Sequence, residues 1–268
     1  MKLTIYNLEK HKVGEKDLPA QFKEPFRPDL IKRAIHALQS CARQPYGSAP
    51  LAGQRASSEV SKRRRDYRGC YGFGISRVRR KILSKRGTRM FWVGATTPQT
   101  VGGRRAHPPK VEKIWEQKIN AKENRKAIRS ALAATVDKEI VAKRGHKLPL
   151  EYPFVLDASF EQINKTQQIL DALLKLGFAE ELSRSMVKKI RAGAGKSRGR
   201  RYQRKKGILL VVGGDCPLLK AARNIPGIEI IPAKAINAEV LAPGTMPGRV
   251  TLCTTQALEM LDKEKLFV

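Results

Sequence analysis

Apolar residues recur at helical spacing in several stretches of the chain. In the first stretch, which begins after Asp29 as a helix cap, Leu30, Ala34, Leu38 and Cys41 fall on one face. A stripe of this kind is typical of a helix that packs against a core. The pattern therefore predicts a first amphipathic helix at this position.

Three further helices are predicted from the same spacing. Residues 120–136 open with Asn120 and Glu123, an arrangement similar to a capping box, and continue with apolar positions one turn apart. The other two helices are predicted over 160–176 and 179–190. Helical periodicity is therefore strongest near the N-terminus and in the middle of the chain.

Short apolar runs bounded by glycine or proline predict strands. The run GILLVVG at 207–213 is wholly apolar, which is typical of a strand buried on both faces of a parallel sheet. Weaker strand patterns lie at 152–159, 228–233 and 249–255, and short helical stretches lie at 217–224 and 255–264. Because strands and helices alternate, we predict an α/β fold: a single globular domain with a mostly parallel sheet flanked by helices.

The charge is concentrated in two segments. The 268 residues contain 54 lysines and arginines against 24 acids, a net charge of +30. Residues 43–113 hold 18 of these cations and three acids, and residues 191–206 hold eight cations and no acid. The other residues carry a net charge of only +7. We therefore predict a globular domain formed by 1–42 and 114–268, interrupted by a basic segment at 43–113.

The basic segment at 43–113 also has an unusual composition. It contains nine glycines, five prolines and six of the 16 aromatic residues, with no sustained helical or alternating pattern. Cations neutralise phosphates, aromatic rings stack on unpaired bases, and glycines allow close backbone approach. No helix or finger suited to the major groove of DNA is apparent. The composition predicts an extended loop that becomes ordered when it is embedded in structured RNA.

Residue types that support catalysis or bind metals do not cluster in the sequence. The four cysteines form no CxxC pair, the four histidines lie far apart, and the carboxylates between 157 and 215 follow no motif. The GAGKS stretch at 193–197 is similar to a phosphate-binding loop, but Ile190 stands where that motif needs glycine. We interpret GGDCP at 213–217 as a strand-to-helix turn. The sequence predicts no catalytic residue, cofactor or metal.

The hydropathy of the chain bears on its location. No stretch reaches the roughly 18 apolar residues that span a bilayer. The start, MKLTIYNLEK, lacks the features of a signal peptide. Neither charged segment has the pattern of a basic amphipathic helix. We therefore expect a cytoplasmic protein without a membrane partner.

Five blocks of sequence carry a resemblance to a known family. They are RQPYGSAPLAGQRAS (43–57), VGGRRAHPPK (101–110), IRSALAAT (128–135), RAGAGKSRGRRYQRKKGILLVVG (191–213) and LAPGTMPGRVTL (241–252). From about Ile5 to Leu261 the chain resembles the archaeal and eukaryotic branch of the universal large-subunit ribosomal protein L-four family. The resemblance implies a structural, non-enzymatic constituent of the large ribosomal subunit that binds its rRNA.

The resemblance also implies how the parts of the chain are used. The globular α/β domain would lie on the outside of the subunit, and the long extended loop at 43–113 would penetrate the rRNA. The loop tip, at about 72–92, would help to line the polypeptide exit tunnel. A second rRNA-binding loop is implied at 191–207. The partners would be large-subunit rRNA, neighbouring ribosomal proteins and, at the tip, the nascent chain.

Specific site residues follow from the resemblance together with the charge distribution. The residues expected to bind rRNA are cations and rings of the two basic segments: Arg43, Tyr46, Arg55, Lys62, Arg63, Arg64, Arg65, Arg68, Arg104, Arg105, His107, Lys110, Lys196, Arg198, Arg200, Arg201, Tyr202, Arg204, Lys205 and Lys206. The residues expected at the tunnel tip are Arg77, Val78, Arg79, Arg80, Arg86, Arg89 and Met90. The alternative function is a nucleic-acid-processing enzyme with a basic substrate channel, which would need clustered carboxylates or a metal site.

Overall fold

The chain divides into two units. The computed structural model describes residues 1–268. Met1–Ala42 and Glu116–Val268 form one unit, the globular unit, and Arg43–Trp115 form the other, the inserted unit. The globular unit contains eight α-helices and eight of the ten strands, and the inserted unit contains the other two strands.

The helices all lie in the globular unit. In chain order they are α1 (Pro28–Cys41), α2 (Ala121–Val136), α3 (Lys138–Lys143), α4 (Thr166–Lys175), α5 (Ala179–Met186), α6 (Leu218–Ala222), α7 (Ala238–Leu241) and α8 (Thr255–Lys263). The strands are β1 (Lys2–Tyr6), β2 (Lys12–Asp17), β3 (Arg80–Arg86), β4 (Arg89–Gly94), β5 (Val155–Leu156), β6 (Lys188–Ile190), β7 (Tyr202–Arg204), β8 (Leu209–Val212), β9 (Glu229–Pro232) and β10 (Thr251–Cys253).

The first two predicted helices form, with local differences. In α1 the buried residues are Ile31, Ala34, Ile35 and Ala37, whereas Cys41 is exposed. The prediction that Cys41 lies on the buried face is therefore wrong, because the core contacts of α1 end at Leu38, one turn before Cys41. The capping box of α2 is also absent, since the Asn120 side chain makes no capping hydrogen bond.

The third and fourth predicted helices are shorter than expected. The third is a short 3-10 helix, Ala158–Gln162, followed by α4, because the intervening Ile163 and Lys165 adopt extended backbone angles. The fourth ends at α5, because Val187 is extended and β6 then pairs with β7. Strand pairing therefore replaces the last predicted helical turn.

The sheets differ from the single, mostly parallel sheet that was predicted. One three-stranded sheet, in the order β10-β8-β9, is entirely parallel. The other, β2-β1-β5, pairs β1 with β2 antiparallel and with β5 parallel. An isolated parallel bridge between Leu156 and Thr254 joins the two sheets. The overall class is mixed α/β.

The antiparallel strands were missed because their sequence carries a weak signal. The short turn between β1 and β2 forces them to run antiparallel. In this turn the Asn7 side chain accepts hydrogen bonds from the backbone nitrogens of Glu9 and His11, at 3.0 and 2.8 Å. Of the residues of β1 and β2, only Leu3 is buried. A hairpin with one buried side chain shows no clear hydrophobic alternation.

Strand β8 lies between two hydrophobic clusters. Leu209 and Val211 pack in one cluster with residues of α1, α2 and α8, and Leu210 and Val212 pack in the other with residues of α4 and α6. Successive side chains of a strand point to opposite faces, so this strand is buried on both sides. The prediction made from GILLVVG is confirmed.

The inserted unit has its own regular element. Strands β3 and β4 form an antiparallel hairpin with Gly87 in a left-handed conformation (φ +57°) at the turn. Isolated bridges join Glu59 to Arg80 and Ser61 to Gly69. The hairpin differs from the irregular segment that was predicted. It escaped detection because Phe91 and Val93 are apolar although exposed, which hides the alternation of β4.

The inserted unit should be the most protease-sensitive part of the isolated chain. Only Gly69, Cys70 and Ala95 are buried in it, so opening it exposes little apolar surface and costs little free energy. We expect trypsin to cut first within 55–105, with Arg63 and Arg64 among the earliest sites. Limited proteolysis with mass spectrometry of the fragments measures this. A first cut in the globular unit would contradict the expectation.

Candidate nucleic-acid interface

The predicted rRNA-binding residues are almost all at the surface. Eighteen of the twenty are exposed, and Arg68 and Arg104 are partly buried. They lie in two regions, the inserted unit and a second region at 188–206 that we call the basic hairpin. Every cation–π pair of the chain falls in one of these two regions.

The two ends of the inserted unit form an aromatic cluster, which consists of Arg43, Tyr46, Lys113 and Trp115. The rings of Tyr46 and Trp115 stack with centroids 5.1 Å apart and planes 26° apart. The Arg43 guanidinium lies 4.0 Å and the Lys113 ammonium 4.4 Å from the Trp115 ring centroid. Aromatic rings on which bases can stack, next to cations that neutralise phosphates, are typical of sites that bind unpaired nucleotides.

Trp115 was missed by sequence reasoning. The basic segment had been limited to 43–113 by its charge, and Trp115 lies just beyond that limit. A signal for it existed, because the tryptophan follows Lys113 closely in a stretch that also carries Lys110. Counting aromatic residues together with cations would have extended the segment.

The predicted tip residues lie on and around the β3–β4 hairpin. Arg86 and Arg89 are exposed on either side of its turn, and Arg77 and Arg79 are exposed before β3. The other three, Val78, Arg80 and Met90, are partly buried. Met90 lines a cavity of about 470 Å³ together with the rings of Tyr67, Phe73 and Trp92. The tip therefore combines arginines with an apolar hollow.

Arginines of the tip also contact neighbouring rings. Arg77 lies 4.5 Å from the centroid of Tyr71, and Arg89 lies 5.3 Å from that of Phe91. These stacked side chains cover apolar surface while keeping their charge near solvent.

Two of the predicted rRNA-binding cations are engaged within the protein. Arg68 forms an ion pair with Glu59, and Lys206 forms one with Glu229. The other predicted lysines and arginines make no ion pair with an acid. Most of the positive charge of both regions is therefore left without an internal counter-charge.

The basic hairpin is a two-stranded ribbon with a 3-10 turn at its end. It pairs β6 with β7, and Gly193 and Gly199 take positive φ angles of +78° on either side of the turn Ala194–Arg198. Arg191 stabilises the ribbon, because its Nε donates to the Arg200 carbonyl at 3.1 Å. The ribbon thereby presents a dense set of exposed cations.

Two arginines, the partly buried Arg184 and the buried Arg249, hold the base of the basic hairpin. The Arg184 Nη2 donates to the Lys206 carbonyl at 2.8 Å, and the Arg249 Nε donates to the Gly207 carbonyl at 2.9 Å. A side chain at Gly207 would come within 3.0 Å of the Gly227 carbonyl oxygen. The ribbon therefore leaves the globular unit from a tightly packed point.

The carboxylate of Glu181 neutralises part of the positive charge at the base of the basic hairpin. Its carboxylate accepts a hydrogen bond from the Arg184 Nε at 2.8 Å and one from the Lys147 backbone nitrogen at 3.0 Å, and it lies 2.7 Å from the His146 Nδ1. Burial raises the pKa of Glu181, but these hydrogen bonds outweigh it and lower the pKa to about 2. The carboxylate is charged in the folded protein at every pH above that value.

Acid should therefore weaken the fold through Glu181. A carboxyl group with a depressed pKa in the folded state stabilises the protein fully above its unfolded pKa, near 4.5, and loses this contribution as the pH falls towards 2. We expect Glu181→Gln to lower the free energy of unfolding by about 3 kcal/mol at neutral pH. The difference from the native chain should shrink as the pH falls from 4.5. Urea unfolding at several pH values measures it, with the neighbouring exposed Glu180→Gln as the control. A difference independent of pH would contradict this account.

The remaining acids show no assembled catalytic centre. The buried Glu161 accepts hydrogen bonds from the Gly213 backbone nitrogen, at 3.0 Å, and from the Thr254 hydroxyl. Asp157 caps the following 3-10 helix by accepting from the Ser159 nitrogen. No group of three or more metal-binding side chains lies together. The helices are also all too short or too polar to cross a membrane.

A mixed α/β unit with two exposed regions of stacked cations and rings defines a nucleic-acid-binding protein, and the pairing of rings with cations favours RNA. A family model described as the ribosomal protein L4/L1 family matches residues 16–264. The chain belongs to this family, whose members are structural components and not enzymes. The resemblance noted in the sequence is thereby confirmed, and the enzyme alternative is set aside.

Individual relatives agree along the whole chain. The large ribosomal subunit protein uL4 of Nanoarchaeum equitans is 50% identical over 268 residues, which is 100% of both chains. The proteins of the same name from Archaeoglobus fulgidus and Methanocaldococcus jannaschii are 44% and 45% identical, each over 97% of this chain and 98% of the relative. The similarity therefore includes both basic regions.

Proposed function

We propose that the chain is a structural constituent of the large ribosomal subunit that binds large-subunit rRNA through the inserted unit and the basic hairpin. The observation that carries this proposal is the exposure of both sets of cations without internal counter-charges, with aromatic rings stacked among them. Phosphates of folded RNA supply the missing negative charge. The chain acts in the cytoplasm, within the ribosome, next to other ribosomal proteins.

The inserted unit and the basic hairpin have different tasks in this proposal. The hairpin, rigidly held at its base, anchors the globular unit on the rRNA. The inserted unit follows the rRNA as an extended loop and becomes more ordered there. Its β3–β4 hairpin, with Arg86 and Arg89 at the turn, lines the polypeptide exit tunnel and meets the nascent chain. The apolar hollow around Met90 suits contact with extended peptide.

Assembly tests the rRNA-binding part of the proposal. The full chain, added to large subunits reconstituted without their own copy, should co-sediment with them and crosslink to large-subunit rRNA from both basic regions. The matched comparison is a chain whose exposed cations in the basic hairpin are changed to glutamine. Equal incorporation of the two chains, or crosslinks confined to residues outside the inserted unit and the basic hairpin, would overturn the proposal.

A shortened hairpin tests the tunnel part separately. Replacing 83–91 with Asn-Gly keeps the cross-strand pair of Ile82 and Trp92 and closes it with a favoured two-residue turn. This change removes Arg86, Arg89 and Met90 but leaves the basic hairpin intact. We expect normal incorporation into subunits and loss of crosslinks to nascent chains. Unchanged nascent-chain crosslinks would show that residues 83–91 do not line the tunnel.

A further inference from the structure

We propose that the cavity beside the aromatic cluster holds a single unstacked guanine nucleotide of the rRNA. The inference rests on the proposed function, because it names the part of the RNA that one region of the interface would recognise. The cavity has a volume of about 540 Å³ and is lined on one side by Tyr46 and Trp115. Pockets of roughly 300–1,000 Å³ hold ligands of about nucleotide size.

The ring surface of the cavity is already assembled. Tyr46 is half exposed while its ring is stacked on Trp115, so the pair offers an ordered flat surface to an incoming base. Arg43 and Lys113 lie against the Trp115 ring and restrict its movement. A surface ordered in advance loses little conformational entropy on binding. Stacking on it is the expected mode for a base drawn out of an RNA loop.

Backbone contacts fix the two walls of the cavity relative to each other. The Ser48 nitrogen donates to the Pro109 carbonyl at 3.0 Å, joining the two ends of the inserted unit. Gly47 permits this approach, because a side chain there would come within 2.7 Å of the Val111 nitrogen. The cavity is therefore built by close packing of two segments that are far apart in sequence.

The charges around the cavity match a nucleotide. Arg105, Lys110 and Lys113 line it and can neutralise the phosphates on either side of a bound base. Glu112 lines it too, and its exposed carboxylate makes no ion pair or hydrogen bond with another residue. An acid left without a partner among three cations is unusual at a surface that binds RNA. It is explained if the carboxylate recognises the base.

A carboxylate at this place selects guanine among the four bases. It can only accept hydrogen bonds. The Watson–Crick edge of guanine offers two adjacent donors, the N1–H and the 2-amino group, which match the two carboxylate oxygens. Adenine and cytosine each offer one amino group beside an acceptor nitrogen, and uracil offers one N–H between two acceptors. We therefore infer a preference for guanine that depends on Glu112.

Tryptophan fluorescence of the full chain tests the inference. In a Trp92→Phe background, Trp115 is the remaining one of the two tryptophans. It is titrated with short RNA oligonucleotides that hold one guanine or one adenine among uracils, and with guanosine monophosphate. We expect quenching of Trp115 and about tenfold tighter binding of the guanine oligonucleotide than of the adenine one.

Three variants assign the effect to the cavity. Glu112→Gln should remove most of the guanine preference, and because Glu112 is exposed this change leaves folding intact. Tyr46→Ala should weaken both oligonucleotides about tenfold through lost stacking. Glu116→Gln is the matched control, since it changes an exposed acid outside the cavity and should leave all affinities unaltered.

The possible results separate three questions: whether the cavity prefers guanine, whether its ligand is RNA, and whether the chain binds rRNA. Equal affinity for the two oligonucleotides, or a preference that survives Glu112→Gln, would overturn the guanine site. Tighter binding of guanosine monophosphate than of the guanine oligonucleotide would overturn RNA as the source of the ligand. Binding of rRNA fragments by the same protein is measured in parallel. A chain that binds rRNA without a Trp115 response contradicts the guanine site alone, whereas a chain that binds no rRNA contradicts the proposed function.

Discussion

We expect the affinity of this chain for fragments of large-subunit rRNA to fall by about 10⁵-fold between about 50 and 200 mM salt. Each cation that neutralises a phosphate releases a counterion, so the logarithm of the binding constant falls linearly with the logarithm of the salt concentration. The steep dependence follows from the many lysines and arginines that lack an internal ion pair. Filter binding or anisotropy at several salt concentrations measures the slope.

The basic hairpin should account for a large part of that slope. Changing Lys196, Arg198, Arg200, Arg201, Arg204 and Lys205 together to glutamine should reduce the slope by about four to five units, since each phosphate contact contributes about 0.7–0.9. Arg191 and Lys206 stay unchanged, because Arg191 stabilises the ribbon and Lys206 pairs with Glu229. The fold should therefore be preserved.

The control for this variant is an equal loss of charge elsewhere. The six exposed cations of the globular unit to be changed to glutamine are Lys32, Lys122, Lys165, Lys175, Lys220 and Arg223. They make no ion pair, so their loss alters the net charge without disturbing internal contacts. If the two variants reduce the slope equally, net charge and not the basic hairpin governs binding.

The second large effect concerns the buried Arg249. Its side chain is fully buried, and its Nη1 donates to the Glu229 carboxylate at 2.5 Å and to the Val240 carbonyl at 2.9 Å. Burial lowers the pKa of Arg249 to about 10, so the group remains charged at neutral pH. Glu229→Ala would remove the acid that contacts this charge directly. We expect the free energy of unfolding to fall by about 3–5 kcal/mol.

Urea unfolding of three variants measures this effect. Glu15→Ala is the control, because it removes an acid from an exposed ion pair with Lys12 and should change stability little. The double variant Glu229→Ala with Arg249→Met should recover part of the loss, since an apolar side chain at the buried position needs no counter-charge. Recovery stays partial because the Gly207 and Val240 carbonyls lose their donor. A Glu229→Ala variant as stable as the control would show that water or other groups already compensate Arg249.

Hydropathy predicts the elements that pack in the core, and charge predicts the regions that are exposed to solvent. Strand β8 could be predicted because four apolar residues in a row, Leu209–Val212, are buried on both faces. The two basic regions could be predicted because their cations are not offset by acids nearby in sequence. Both patterns involve residues that are neighbours in sequence, so they can be recognised without a structure.

The features that escaped prediction depend on contacts between distant segments. Arg249 reads as a surface residue until the carbonyls of Gly207 and Val240 are found beside it. The cavity beside Trp115 exists only because Pro109 meets Ser48. The β6–β7 ribbon was hidden because its residues are exposed on both faces, so no hydrophobic period marks it. The spacing of apolar residues in the sequence therefore predicts which residues are buried, but it does not predict which distant residues they contact.

The junction between the two units has a consequence for how the protein is made. Within the globular unit, the backbone nitrogen of Gln117 donates to the Ser40 hydroxyl at 2.9 Å, so the chain leaves and re-enters this unit at neighbouring points. Closing a long excursion costs free energy that grows only with the logarithm of its length. A newly synthesised chain can therefore complete its hydrophobic clusters while residues 43–115 remain unengaged. The folding of the globular unit is therefore independent of whether residues 43–115 have bound a partner.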